Sequence, residues 1–182
     1  LEIASDRVET VGFVSPLFFQ GIIELTSLLI RDYHQHLEGE ILASFLQTKG
    51  LPIENGPLRA LKNEHEEAEQ YIEDLKAAVR SLEKGNDPER ARAEIIDNIR
   101  AYIRLMAAHT SKEEMMLFPI VASISSPEEM EALQCRVKRY LEELNINLAQ
   151  FFTEKLNTLR GYLGGVEEER EEIRRLWKLM HE

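Results

Sequence analysis

The sequence predicts an all-α protein, an antiparallel up-down bundle of four long helices followed by a short C-terminal helix. Three observations lead there. Strand-like alternation is almost absent from the 182 residues. Apolar residues instead recur at helical spacing over long stretches. Glycine and proline cluster at a few places, leaving loops so short that successive helices must lie side by side and run in opposite directions.

After a short opening segment, Ser15-Pro16 marks an N-cap and first-turn proline, starting a helix that runs to about Lys49. Gly50-Leu51-Pro52 stops it, and Asn55-Gly56-Pro57 starts a second helix that runs to about Lys84. Gly85-Asn86-Asp87-Pro88 is the next break, and the third helix runs from Pro88 to about Ser123, with Pro119 bending its last turns. Ser126-Pro127-Glu128-Glu129 is a capped start for a fourth long helix to about Arg160. Gly161, Gly164 and Gly165 then separate an amphipathic tail whose stripe includes Val166, Ile173, Trp177 and Met180. The expected division is a bundle over residues 1–165 and a C-terminal helix over 166–182. That helix docks on the bundle or on a second copy, the latter giving a homo-oligomer.

Composition narrows the function classes. A net charge of −11 and a pI near 5.0, with no basic stripe to offset the acid, argue against a nucleic-acid surface. The richest apolar stretch, Phe13 to Ile30, is interrupted by Pro16, Gln20, Gly21, Glu24 and Thr26, so no membrane span is expected. The single cysteine, Cys135, and the absence of a readable signal peptide make the cytoplasm the expected compartment. No glycine-rich phosphate loop and no C-x-x-C motif is present.

The histidines carry the chemistry. Each internal one is followed four residues later by a glutamate: His34 by Glu38, His36 by Glu40, His65 by Glu69, His109 by Glu113. A four-residue step on an α-helix returns about 40° from the starting face and one turn along, so such a pair can grip one cation or bridge two. The same spacing is ordinary on a solvated helix, so the face decides. On the second helix His65 lies at the centre of the stripe formed by Leu58, Leu61, Ala68, Ile72 and Leu75, with Glu69 near its edge. On the third, His109 and Glu113 lie squarely between Tyr102, Leu105 and Leu117, Ile120. A carboxylate in such a stripe is costly unless paired or coordinated. On the first, His34 and Glu38 fall near the Leu37, Ile41, Phe45 stripe, whereas His36 and Glu40 lie away from it. A second apolar edge, through Ile22, Leu25 and Tyr33, keeps the His36 and Glu40 pair open as an alternative. The metal ligands expected are His34, Glu38, His65, Glu69, His109 and Glu113. Imidazoles with carboxylates suit iron, manganese or zinc rather than calcium.

These segments resemble a known family. The stretch from His109 through Glu113, Glu114 and Leu117 to Pro119 resembles the H-x-x-x-E-E-x-x-L-F-P signature of hemerythrin-like, HHE cation-binding domains. Gly50-Leu51-Pro52, Gly56-Pro57 and Glu64-His65 resemble its G-x-P, G-P and E-H segments. Reading back from Gly50 without gaps places Glu38 and His34 on the family's other H-x-x-x-E, and the likeness covers about residues 20 to 120. It implies a four-helix bundle with a non-haem di-iron centre, held by His34, Glu38, His65, His109 and Glu113. The histidine of the family's first helix has no counterpart, since residues 1–33 contain none, and neither do 127–160. That helix lies upstream of Leu1, or the fourth long helix fills its slot, with Glu69 supplying part of the missing coordination. The function implied is binding or sensing of dioxygen or nitric oxide, or iron handling. No substrate pocket or catalytic base is readable, so an enzyme is not the expectation. The competing expectation is a structural or regulatory bundle with a degenerate site, acting through protein partners.

Overall fold

The computed structural model describes residues 1–11, 15–144, 147 and 150–162. The expected tail helix over 166–182 therefore lies outside the described residues. Among those residues all regular structure is helical, with no strand. The order is α1 (Glu2–Val11), α2 (Pro16–Thr26), π-helical stretches at Ser27–Gln35 and Leu37–Leu42, and α3 (Ala43–Thr48). Then come α4 (Gly56–Glu83), α5 (Pro88–Lys112), a π-helical stretch at Glu113–Leu117, α6 (Phe118–Ile124) and α7 (Pro127–Glu143). Residues 150–162 are helical as well.

Proline sets the starts. Pro16, Pro57, Pro88 and Pro127 all sit in the first turn of their helices, where a missing N–H leaves nothing unsatisfied. At α7 the capping box closes both ways: the Glu129 N–H donates to Ser126 Oγ at 3.2 Å, and the Ser126 N–H donates to Glu129 Oε2 at 2.8 Å. Ser15 holds the N-cap position of α2 without a side-chain cap bond. Gly85 takes φ +69° in the turn between α4 and α5, a left-handed conformation that glycine adopts without steric cost.

Three expectations need correction. The fourth helix, expected to run to about Arg160, stops at Glu143; Leu144 lies in a turn and Asn147 outside any helix before helical residues resume at 150. The opening segment is a helix: α1 lays Ala4 and Val8 into the core beside Phe18 and Phe19, and Glu9 accepts an ion-pair bond from Arg100 of α5 at 2.6 Å. The first and third long helices are not uniform α-helices either. Their runs are unbroken, but π-helical turns occupy the middle of 16–48 and the join between α5 and α6. There the Ala43 N–H donates to the Glu38 carbonyl and the Phe118 N–H to the Glu113 carbonyl, five residues back rather than four. Pro119 follows the second of these, where the widened turn continues without its backbone donor.

The cores are stacked along the molecule. One cluster gathers Phe18, Phe19, Leu75, Val79, Ile95 and Ile99. Another gathers Ile41, Leu46, Leu61, Leu117, Val121 and Leu133. On three of the helical runs, residues 34–38, 65 and 109–113 fall between the positions feeding these two clusters. α7 and the helical residues 150–162 both meet the first run: Glu129 meets Lys49, Arg136 meets Ser44, Tyr140 stacks on His36 and Lys155 meets Glu24. Partners step down one run as they step up the other. No helix of the described residues is long and apolar enough to cross a membrane.

Candidate metal centre

Five side chains converge between the two cores. His34, Glu38, His65, His109 and Glu113 each offer a donor atom, and these atoms all lie within 4.8 Å of one another. His109 Nε2 stands 3.0 Å from His65 Nε2 and 2.8 Å from Glu113 Oε1. His34 Nε2 is 2.9 Å from the same Glu113 oxygen and 3.8 Å from Glu38 Oε1. Glu38 Oε2 is 3.3 Å from His65 Nε2. Donors about 2.1 Å from one ion stand about 3 Å apart, so these spacings suit a coordination sphere.

Two of the donor oxygens also lack a hydrogen-bond partner among the described residues. Glu38 Oε1 and Glu113 Oε1 are buried without a hydrogen-bond partner, although imidazole nitrogens approach Glu113 Oε1 closely. Proximity without hydrogen-bond geometry is the arrangement expected of lone pairs aimed at a shared cation. A buried carboxylate oxygen left unpaired is otherwise unfavourable. The residues present therefore fit a metal ion.

Electrostatics divides the cluster. Burial pushes Glu38 up to about 8, and the neighbouring Glu113 carboxylate adds to the effect. For Glu113 burial acts in the same sense, but His109 and His34 outweigh it and hold this carboxyl well below the usual range. Burial, reinforced by the charges of His109 and His34, lowers His65 to about 4, so its ring is neutral near pH 7. His34 is raised, chiefly by its approach to Glu113. His109 is raised too: burial opposes its charge, and contacts with Glu113 and Glu64 prevail.

Glu64 is the residue that the sequence reading passed over. Its Oε2 lies 3.1 Å from His109 Nδ1, and Lys112 donates to its other oxygen. A carboxylate can only accept, so Nδ1 carries the proton in the neutral His109 ring and Nε2 keeps its lone pair for the cluster. The signal was available, because Glu64 lies three residues after Leu61 and four before Ala68, both of them buried. Glu69 takes no part in the five-residue group, and its side chain is exposed on α4. His36 turns the other way and stacks on Tyr140, with ring centroids 4.1 Å apart and planes 20° apart, while Glu40 is exposed.

A match to a cation-binding family accords with this geometry. The family model described as the hemerythrin HHE cation binding domain matches the chain in two overlapping segments, residues 1–121 and 56–182. No curated protein and no solved structure shows a significant match. With that match spanning the whole length and a histidine–carboxylate cluster able to hold a metal ion, the chain belongs to the hemerythrin HHE cation-binding family.

Proposed function

We propose that this protein is a cytoplasmic four-helix bundle, with its long runs arranged up and down, that holds a non-haem iron centre of one or two ions. Five convergent donors, two of them with buried and otherwise unpartnered oxygens, carry the reading. His34, His65 and His109 would bind as neutral imidazoles, and Glu38 and Glu113 would balance the cation charge. Iron in such a set, with a coordination position left open, supplies reversible binding of a small diatomic molecule such as dioxygen or nitric oxide. The residues provide part of what that needs: Glu64 fixes the His109 ring, and the flanking apolar cores shield His109 and Glu113 from water. Manganese and zinc suit the same donors. The tail over 166–182 is the proposed docking helix, toward the bundle or a second copy.

The test is anaerobic reconstitution with ferrous iron, followed by metal analysis and absorbance spectroscopy. One to two iron equivalents per chain are expected, and a content below about half an equivalent would overturn the proposal.

A second reading, a structural bundle working through protein partners, is favoured by one observation. The run packed beside His34 offers Met130, Leu133 and Val137 there, and no donor. Thermal melts separate the two readings, because an ion that binds only the folded state must raise the midpoint.

A further inference from the structure

Two cavities reach the donor cluster, and their walls differ in chemistry. One, of about 310 Å³, includes Glu38 and His65 in its lining and is rimmed by exposed Glu40, Glu66 and Glu69, with Lys62 as the single cation among its lining residues. The other, of about 340 Å³, reaches His34 and Glu38 from the side of α7 and is otherwise lined by apolar side chains such as Ile41, Val121, Leu133 and Val137. From this contrast we infer that the divalent ion is loaded through the acidic cleft, with Glu66 and Glu69 gathering it and Glu38 and His65 receiving it. The inference rests on the proposed metal-binding function and adds the route and the residues that serve it.

A hydrated divalent cation sheds its water only where oxygen or nitrogen donors replace it, and the apolar cavity offers none before the cluster itself. A rim of carboxylates raises the local cation concentration and the rate of encounter. Glu69 is well placed for transfer, since with Gln35 it lines both this cleft and a smaller neighbouring cavity of about 90 Å³. Glu69 thus acts on the ion's path although it lies outside the final donor set. Gly39 completes the picture. It lies in a helical run, where glycine is unfavourable relative to alanine, yet it lines the cleft, and a Cβ added there meets nothing within 4 Å. A larger side chain there would enter the cleft from its wall.

The test is stopped-flow uptake of cobalt(II), whose visible absorption reports coordination, by the full-length apo-protein, with endpoint metal content measured in parallel. The double variant E66Q/E69Q should load about three- to ten-fold more slowly, with a flatter salt dependence and an unchanged endpoint. Gly39→Phe, whose first side-chain carbon enters open space, should also slow loading without changing the endpoint. Val137→Phe, in the apolar cavity, should load at the parent rate. Parent-like rates in both E66Q/E69Q and Gly39→Phe, with a full endpoint, would overturn the route alone. Slowing in Val137→Phe equal to that in Gly39→Phe would overturn it as well. A lowered endpoint in Glu69→Gln would make Glu69 a ligand and remove its loading role. Failure of the unaltered protein to take up any metal would instead sink the metal-binding function, and the route with it.

Discussion

His109 and His34 occupy the same place in two His-x-x-x-Glu pairs, yet His109 is fully shielded while His34 keeps 31% of its side chain exposed. The pairs differ in what stands behind them. His109 is backed by Glu64 and Lys112, and Glu113 is held ionised by the imidazoles around it. Among the described residues His34 meets the carboxylates of the cluster itself, Glu113 and Glu38, and shares a cavity with apolar side chains of α7, while its partner Glu38 is pushed toward the neutral acid. One half of the site is pre-ordered and charged, and the other is looser and adjusts its protonation when a cation arrives. A single motif thus yields two roles, set by neighbours rather than by spacing.

The widest gap between the halves should come from removing their histidines. His109→Ala leaves Glu113 buried without its main counter-charge, and the apo-protein should lose about 3 kcal/mol in denaturant unfolding along with all metal binding. His34→Ala should also abolish stoichiometric binding but cost under about 1 kcal/mol, because its ring is part-exposed. Equal losses in the two variants would erase the distinction drawn here.

Glu64→Gln tests the support behind the ordered half. It should weaken metal affinity by about 10- to 100-fold, measured by competition with a chelator, while saturating metal still fills the site.

The pH dependence sharpens the contrast. Glu38 is raised in the folded chain to about 8, so the folded apo-protein binds more protons than the unfolded chain over that range. His34 and His109, both raised above their ordinary 6.5, act in the same direction. Stability of the apo-protein should therefore fall as pH rises from about 6.5 to about 8, and bound metal should reverse the trend by displacing the Glu38 proton. Chemical denaturation with and without metal at several pH values checks this. A flat apo profile would deny Glu38 its neutral form.

His36→Ala should have the smallest effect. It removes one stacked contact with Tyr140, costs about 0.5–1 kcal/mol in unfolding and leaves metal content unchanged. Loss of metal in this variant would restore His36 as a ligand.

Much of this was legible in the sequence, and the exceptions have physical causes. Proline and the Ser126–Glu129 box announced helix starts because their chemistry is local. The stripe positions of His34, His65 and His109 announced the cluster because helices of known phase must turn those faces inward. α1 was not legible: a single helix of ten residues, whose buried positions are Ala4, Ser5, Arg7 and Val8, carries little apolar periodic signal. The π-helical turns were also hidden, since a backbone bond shifted by one residue leaves no mark on composition. They bear on Glu69. The two pairs that close on the cluster both touch π-helical stretches, whereas His65 and Glu69 lie on undistorted α4, where the second residue rotates out to solvent.

That widened turn has a further consequence for the helix it interrupts. Residues 109, 113, 117 and 121 are all buried, a row stepping by four. On a uniform α-helix such a row would drift about 120° around the axis over its three steps and carry its last member out of the interior. The surplus residue in the turn after Glu113 cancels much of this precession. Polar donors and greasy seam side chains therefore share one straight line along the rod. Deleting a single residue between 114 and 116 would throw Leu117 and Val121 out of phase with His109, so hydrophobic closure and ion coordination would fail together.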